Sequence, residues 1–373
     1  MNGFTAPRKT SQRILTGGAL FSIAALAFTA CGSSSGDAAA GEANGNGSEK
    51  IGVSLIVKTT TNPYFVAMQD GAKKAADADG VDLKLAAGKS DGDEDTQIQA
   101  IENAISKGDK GILITPNGPA VEDAMIKAKE AGLFVIALDT APSSVDAADI
   151  TFATDNFAAG TLIGQWTASQ LKGQKATIAL VDLFDDKIVS VDYNRDQGFL
   201  NGMGIELNDN KKNGDEAPSG KYSFAGGGDY EIVGNAASQG AEDGGRTAME
   251  MLLAKNPDIN VVYSINEPAG AGAYEALKAA GKETGTLVVS IDGGCTGIAN
   301  VKDGILGATA QQYPVKMAEL GVKAIVDLAK DGTKPQNTQG LDFFNTGVEL
   351  ATDKPVDGVK SIDTAAAADI CWG

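Results

Sequence analysis

Two hydrophobic rhythms alternate along most of this chain. Short runs that are apolar at nearly every position, such as KIGVSLIV (Lys50–Val57), give way to longer stretches where apolar residues recur every three or four positions. The first rhythm suits a strand buried on both faces, the second an amphipathic helix. In Asn62–Gly80, Phe65, Met68, Ala72 and Ala75 or Ala76 keep helical spacing, Pro63 suits a first turn, and Gly80 is a natural stop. Val81–Ala87 predicts a strand, Asp93–Gly108 a helix with Ile98, Ile101 and Ile105 on one face, Lys110–Pro116 a strand, Ala120–Gly132 a helix and Leu133–Asp139 a strand. After DITFATDN (Asp149–Asn156) the alternation restarts. Helix Phe157–Gly173, strand Ala176–Leu183 and helix Asn194–Leu207 lead to a Gly-rich polar excursion over residues 208–234. Helix Glu242–Pro257, strand Ile259–Ile265, helix Pro268–Gly281 and strand Thr286–Asp292 follow. Apolar strands each followed by a helix predict parallel sheets covered on both faces, with right-handed crossovers. The expected class is α/β, with two Rossmann-like, doubly wound parallel-sheet lobes. Leu306–Gln312 and helix Tyr313–Gly332 come too late to open a third lobe, so the chain is expected to cross back to the first.

The first 30 residues do not belong to this pattern. Arg8, Lys9 and Arg13 stand there without an acid, before the apolar run Ile14–Ala30, which is shorter than a comfortable membrane span. This reads as a signal peptide. FTAC (Phe28–Cys31) and the Gly/Ser/Asn/Ala-rich residues after it resemble a bacterial lipobox and its tether, with Phe28 at the usual Leu position. That resemblance implies lipid on Cys31 and a flexible leash over 31–48. An ordinary cleaved signal with an incidental cysteine is the alternative. The remaining stretch of about 325 residues suits two domains. Removing residues 1–30 leaves 28 basic residues against 49 acidic ones, a net charge of −21. Such a surface repels nucleic acid and anionic lipid headgroups.

The chain has no histidine and three cysteines. Without histidine, Ser/His/Asp and Cys/His triads and the usual zinc sets are excluded. No phosphate-cradling glycine motif is present; AGGGDY (Ala225–Tyr230) has the wrong spacing. With Cys31 lipidated, Cys295 and Cys371 remain as an even pair in an oxidising setting. They read as a disulfide tying the ICWG segment to the DGGC loop, with two buried free thiols as the alternative.

Ligands of doubly wound sheets bind beyond the carboxyl ends of the strands. The residues there are Asn62, Tyr64 and Phe65; Asp139 and Thr140; Asp182 to Asp186; Asn266 and Glu267; Asp292; and Gln311 and Gln312. Amides and carboxylates serve hydroxyl groups, and rings cover apolar C–H faces, so the set suits a neutral polyhydroxyl ligand. Helix capping is the competing role for Asn266, turn chemistry for Asp292, and core packing for the rings. Neighbours on a helix sit about 100° apart, so Tyr64 and Phe65 are not expected to share one core. Beyond the signal segment there are two arginines, Arg195 and Arg246. Arg246 reads as an exposed helix position. Arg195 stands near a helix start, where a cation is not stabilising, so its forked donors read as a holder of adjacent hydroxyls, braced by Asp139 or Asp292.

The ordered set NPYF…DGA, ALDT, TDN…G, NRDQGF, SINEPAGAGAYEALKAAG, VVSIDGG and ATAQQYP resembles the ribose/galactose-type periplasmic sugar-binding proteins, the solute receptors of carbohydrate ABC importers. The resemblance spans nearly all of the chain after the tether. It implies two lobes joined by three hinge crossings, a first lobe of residues 49–154 plus 313–343 and a second of 155–312 plus 344–373. It implies sugar contacts at Asn62, Tyr64, Phe65 and Asp139 from the first lobe, at Arg195, Asn266 and Asp292 from the second, and at Gln312 in the hinge. The ribose receptors carry Arg where this chain has Thr140, and an aromatic where it has Ile291. They also carry an aromatic before the EDGGRTAM helix, a place that Gln239 is expected to fill. DGGC, DFFNTGV and the terminal CWG are similar to the fructose-type branch. The resemblance further implies a non-enzymatic monomer without cofactor or metal, exported and held at the outer face of the membrane by lipid alone. Its expected partners are a monosaccharide and an ABC permease with its ATPase. A receptor passing a sugar or furanosyl signal to a chemoreceptor or sensor kinase is the alternative, and a carboxylate glycosidase using Asp139 and Asp292 a remoter one.

Overall fold

The computed structural model describes residues 50–373. The signal segment, Cys31 and the tether lie outside the described residues. In chain order the elements are β1 (Gly52–Val57), α1 (Pro63–Asp79), β2 (Asp82–Ala87), α2 (Glu94–Lys107), β3 (Gly111–Ile114), α3 (Glu122–Glu130), β4 (Phe134–Leu138) and β5 (Ile150–Ala153). Then come α4 (Asn156–Leu171), β6 (Ala176–Asp182), α5 (Ser190–Met203), β7 (Ser219–Tyr222), β8 (Gly228–Ala237), α6 (Glu242–Lys255), β9 (Val261–Ser264), α7 (Glu267–Ala279), β10 (Leu287–Asp292), α8 (Cys295–Lys302), β11 (Ala308–Gln311) and α9 (Pro314–Asp331). The last are β12 (Phe344–Asn345), β13 (Glu349–Ala351), β14 (Ser361–Ile362) and α10 (Thr364–Ala368).

These elements build two doubly wound α/β lobes. The first sheet has the order β12-β5-β4-β3-β1-β2 and is parallel throughout. The second has the order β14-β13-β11-β10-β9-β6-β8-β7. Its central strands β8, β6, β9, β10 and β11 are parallel, while β7 runs antiparallel to β8 and β13 antiparallel to β11, with β14 parallel to β13. The strand period of two sorts the first sheet's side chains between two cores. Val53, Leu55 and Val57 join Met68 and Val322 on one face; Ile56, Ile112 and Ile114 join Ile101 and Met125 on the other.

Local chemistry sets the helix ends. Asn62 Oδ1 accepts from the Tyr64 amide at 2.9 Å, Pro63 opens α1, and Gly80, at φ 69°, closes it. In the second lobe α4 and α5 meet backbone to backbone at Gly160, Gly164, Gly198 and Gly202; a Cβ on Gly164 would run into the Phe199 carbonyl oxygen. This close approach fixes the height at which α5 presents Arg195. The chain passes between the sheets three times, between β5 and α4, between β11 and α9, and between β12 and β13. Phe344–Asn345 pairs with Phe152–Ala153 of the first sheet, so the last passage to the second sheet follows Asn345. α9 packs on α1.

Three features depart from the sequence reading. The polar excursion contains the hairpin β7–β8, whose second strand lies directly beside β6. An eight-residue helix, α8, follows Asp292 in a stretch to which the sequence reading assigned no element. Tyr64 and Phe65 do share one core, their rings 5.3 Å apart at 89°. The angle between helix neighbours is accommodated because Trp372 supplies a second wall, edge-on to Tyr64 at 5.2 Å. Among the described residues no helix is long and apolar enough to cross a membrane.

Candidate functional site

Where the strand ends of the two lobes face each other lies a slot of about 30 Å³, lined by Lys58, Asn62, Tyr64, Phe65, Asp91 and Asp139 from the first lobe and by Leu183, Val191, Arg195, Ile265, Asn266 and Asp292 from the second. Arg195 is the residue there that faces charged groups of both lobes. Its Nε donates to Asn156 Oδ1 at 2.8 Å and its Nη1 to the Ile265 carbonyl at 3.0 Å. Nη2 is 3.6 Å from Asp139 Oδ1, and Nη1 is 3.9 Å from Asp292 Oδ1. One guanidinium thus faces a carboxylate from each lobe, at distances longer than the roughly 2.7–2.9 Å of a direct charge-assisted bond.

Both carboxylates are held by unusual backbone. Asp139 has φ 63° and Asp292 φ 153°. A non-glycine residue at positive φ is costly and persists where its surroundings determine it. Asp139 Oδ1 accepts from the Tyr64 hydroxyl at 3.0 Å, and its Oδ2 from the Thr140 hydroxyl at 2.9 Å. Burial, then the Asp139 charge, pushes the Tyr64 phenol well above its ordinary value, so it stays a donor. Asp292 Oδ1 accepts from Gln312 Nε2 at 3.1 Å, and the Gln312 amide donates to the Asp292 carbonyl at 2.8 Å. Burial pushes the Asp292 carboxyl up, outweighing the opposite pull of Arg195.

The two asparagines are helix caps that also reach the slot. Asn266 Oδ1 caps α7 through the Ala269 amide at 3.0 Å, while its Nδ2 donates to the Gly240 carbonyl at 3.0 Å. Thr140 acts on Asp139 and does not line the slot. Gln239, at φ 54°, is exposed; it lines an outer vestibule of about 550 Å³ rather than the slot. Gln312 reaches the slot only through Asp292.

Several other strand-end residues serve the second lobe's interior. Glu267 accepts from the Gly293 and Gly294 amides at 2.8 and 3.1 Å and from the Thr309 hydroxyl at 2.8 Å, bracing the turn after Asp292. Burial raises its carboxyl to about 7. Asp182 sits among Asp192, Asp196 and Asn235, with Asn235 Nδ2 donating to Asp182 at 2.7 Å and to Asp196 at 3.3 Å. Burial raises Asp182 to about 6 and Asp192 to about 8. Among the described residues no group of three His, Cys, Asp or Glu side chains is placed to hold a metal ion.

Among the polar and aromatic contributors, four escaped the sequence reading: Lys58, Asp91, Asn156 and Trp372. Lys58 is the residue just after β1, and Asp91 lies in the loop after β2, so the strand-end rule already covered both positions. Trp372 gave no local signal. Cys371 is bonded to Cys295, with the Cα atoms 5.0 Å apart, and the Cys295 amide donates to the Trp372 carbonyl at 2.9 Å. Trp372 Nε1 donates to the Gln312 carbonyl at 2.9 Å. The slot therefore gathers a guanidinium, carboxylates, amides, a phenol and rings. These are donors, acceptors and apolar faces at fixed places, fit for a compact ligand rich in hydroxyl groups.

Residues 51–334 match the family model described as periplasmic binding protein domain. The chain is similar to the ribose import binding protein of Escherichia coli, 27% identical over 299 residues, covering 80% of this chain and 91% of the relative. It is also similar to the D-apiose import binding protein of Actinobacillus succinogenes, 30% identical over 243 residues, covering 65% of this chain and 69% of the relative. Among solved structures, an ABC transporter solute binding protein from Agrobacterium vitis with bound D-fucose aligns with TM-score 0.70 and 25% identity, covering 86% of this chain and all of the other. One from Actinobacillus succinogenes with bound D-allose aligns at TM-score 0.69 and 23% identity, again covering 86% and 100%, a likeness of fold.

Proposed function

The chain belongs to the periplasmic binding protein family, in its ribose/galactose type, and from that premise we propose that it is an extracytoplasmic receptor that captures a monosaccharide between its lobes and delivers it to an ABC importer. The observation that carries this reading is Arg195 facing Asp139 of one lobe and Asp292 of the other. A sugar entering the slot offers hydroxyls that fit between guanidinium and carboxylates, where the present separations exceed a direct bond. Tyr64 and Phe65 supply the apolar face, and Asn62 and Asn266 the flanking amides. Ligand contacts shared by both lobes favour the closed arrangement in proportion to the differential affinity, which makes hinge closure the signal that a permease reads. Fructose or a related sugar is the favoured ligand, from the fructose-type DGGC and CWG segments. A lipid on Cys31 would keep the receptor near its permease and raise its effective concentration there. Calorimetry against a panel of pentoses, hexoses and inositols tests the reading: binding by at least one at micromolar level is expected, and no binding below millimolar by any would sink it.

A further inference from the structure

Beside the slot, and joined to it through Asn62, Asp91 and Asp292, lies the vestibule of about 550 Å³. The lobes touch near it. Ser190 Oγ donates to the Ala141 carbonyl at 2.6 Å, and Lys187 Nζ to the Gly92 carbonyl at 3.3 Å. Asp91 approaches the second lobe so closely that a Cβ on Gly240 would stand 3.0 Å from its Oδ2. In this contact the slot keeps space for about two waters, while the vestibule keeps a volume within the usual range for a whole small ligand. Its walls mix apolar surface from Pro63, Pro268 and Trp372 with the hydroxyl of Thr296 and the amide of Asn300. Asp91, Glu242, Asp243, Glu267 and Asp292 line it too, so it offers acceptors, hydroxyl and amide groups and apolar faces, but no cation. At the junction, Asp91 Oδ1 is sealed from solvent without a hydrogen-bond partner. A buried acceptor left unmade is costly, and a ligand hydroxyl would satisfy it. Burial raises this carboxyl to about 6, against the pull of Lys58.

Building on the receptor reading above, we propose that the vestibule is a second ligand subsite. The chain then takes sugars extended by a glycosidic group, such as a disaccharide. The slot's present space of about 30 Å³ is less than a sugar ring needs, so the lobes part as one ring enters at Arg195; the attached group lies in the vestibule, and Asp91 accepts a hydrogen bond from a hydroxyl at the junction. Titration calorimetry on the whole chain compares fructose, galactose and ribose with a disaccharide and a methyl glycoside of each. At least one extended sugar is expected to bind about tenfold tighter than its free parent. Thr296→Trp, at an exposed position of α8, should erase that margin and spare the free sugar; Ala271→Leu on α7 is the second filling variant if the first melts early. Asp91→Asn should weaken the extended sugar about tenfold. Free sugars binding as tightly as every extended one would overturn the subsite and leave the receptor reading intact. An extended-sugar preference that neither filling variant reduces would overturn it too. Failure of free and extended sugars alike would remove both readings together.

Discussion

The two lobes share a strand order yet divide the work unequally. In each, the central parallel strands follow the doubly wound order, β2-β1-β3-β4-β5 in the first and β8-β6-β9-β10-β11 in the second. The first lobe brings rings to the cleft and one strained aspartate. The second brings Arg195 and Asp292, and behind them the buried carboxyls Asp182, Asp192, Asp196 and Glu267. It also carries the antiparallel additions and the disulfide. A repeated fold therefore supplies the position of a site to which both copies bring charge, while the acidic interior behind it is a property of one copy. The lobe that buries more charge also needs more external bracing, since burying ionisable groups without full compensation is unfavourable.

Removing Arg195 is the strongest way to break this contrast. Arg195→Ala leaves two buried carboxylates facing each other, and losing one partner of a buried pair costs about 3–5 kcal/mol. Sugar affinity should fall at least a hundredfold by calorimetry, whereas Phe65→Leu should cost about tenfold; the reverse order would make the first lobe the dominant one. The disulfide comes next. Cys295→Ser opens a closure of 76 residues, with an expected loss of about 2–4 kcal/mol in denaturant unfolding. A loss spread equally over both lobes, seen by hydrogen exchange, would contradict the placement of the brace.

Acidity sharpens the comparison further. Glu267 is raised to about 7, Asp192 to about 8, and Asp91 and Asp182 to about 6. Each holds its proton to higher pH in the folded chain than when unfolded, so the folded state binds more protons from the ordinary carboxyl range near pH 4 up to the raised value. Stability then falls as pH rises through that window. The chain is expected to melt several degrees higher at about pH 5.5 than at about pH 8.5, and Glu267→Gln should shrink the difference. A melting point that climbs with pH across this range would refute the assignment. The smallest effect concerns the caps: Asn62→Ala should cost about 1 kcal/mol and Asn266→Ala somewhat more, because Asn266 Nδ2 also holds the Gly240 carbonyl. Equal costs by denaturant unfolding would show that this second bond adds little.

The parallel strands and their helices were legible because strands buried on both faces are apolar throughout, and helices bear a 3.6-residue stripe. The hairpin was not: β8 mixes Asp229, Glu231 and Gly234 with its apolar residues, and β7 is an edge strand exposed over most of its length. Strand-end positions pointed to Asp139 and Asp292, and the rarity of arginine near a helix start pointed to Arg195; the three side chains meet in the slot. Strand-end position could not show that Asp182 turns into an acidic interior, because every aspartate after a strand looks the same until its neighbours are known. Asp91 was hidden in the acid-rich loop SDGDED. Trp372 was beyond reach, since its contacts with Gln312 and Tyr64 join residues far apart in sequence.

Trp372 is tied to the second lobe through Cys371, to the hinge through Gln312, and lies edge-on to a first-lobe tyrosine. The chain has one other tryptophan, Trp166, fully buried in the second-lobe core with its Nε1 bonded to the Lys354 carbonyl. One indole thus stands on the seam that the proposed hinge closure would move, and the other deep inside the second lobe. The molecule carries its own optical gauge: ligand-dependent fluorescence should arise from Trp372 against a constant background from Trp166, so cleft motion can be timed without attaching a dye.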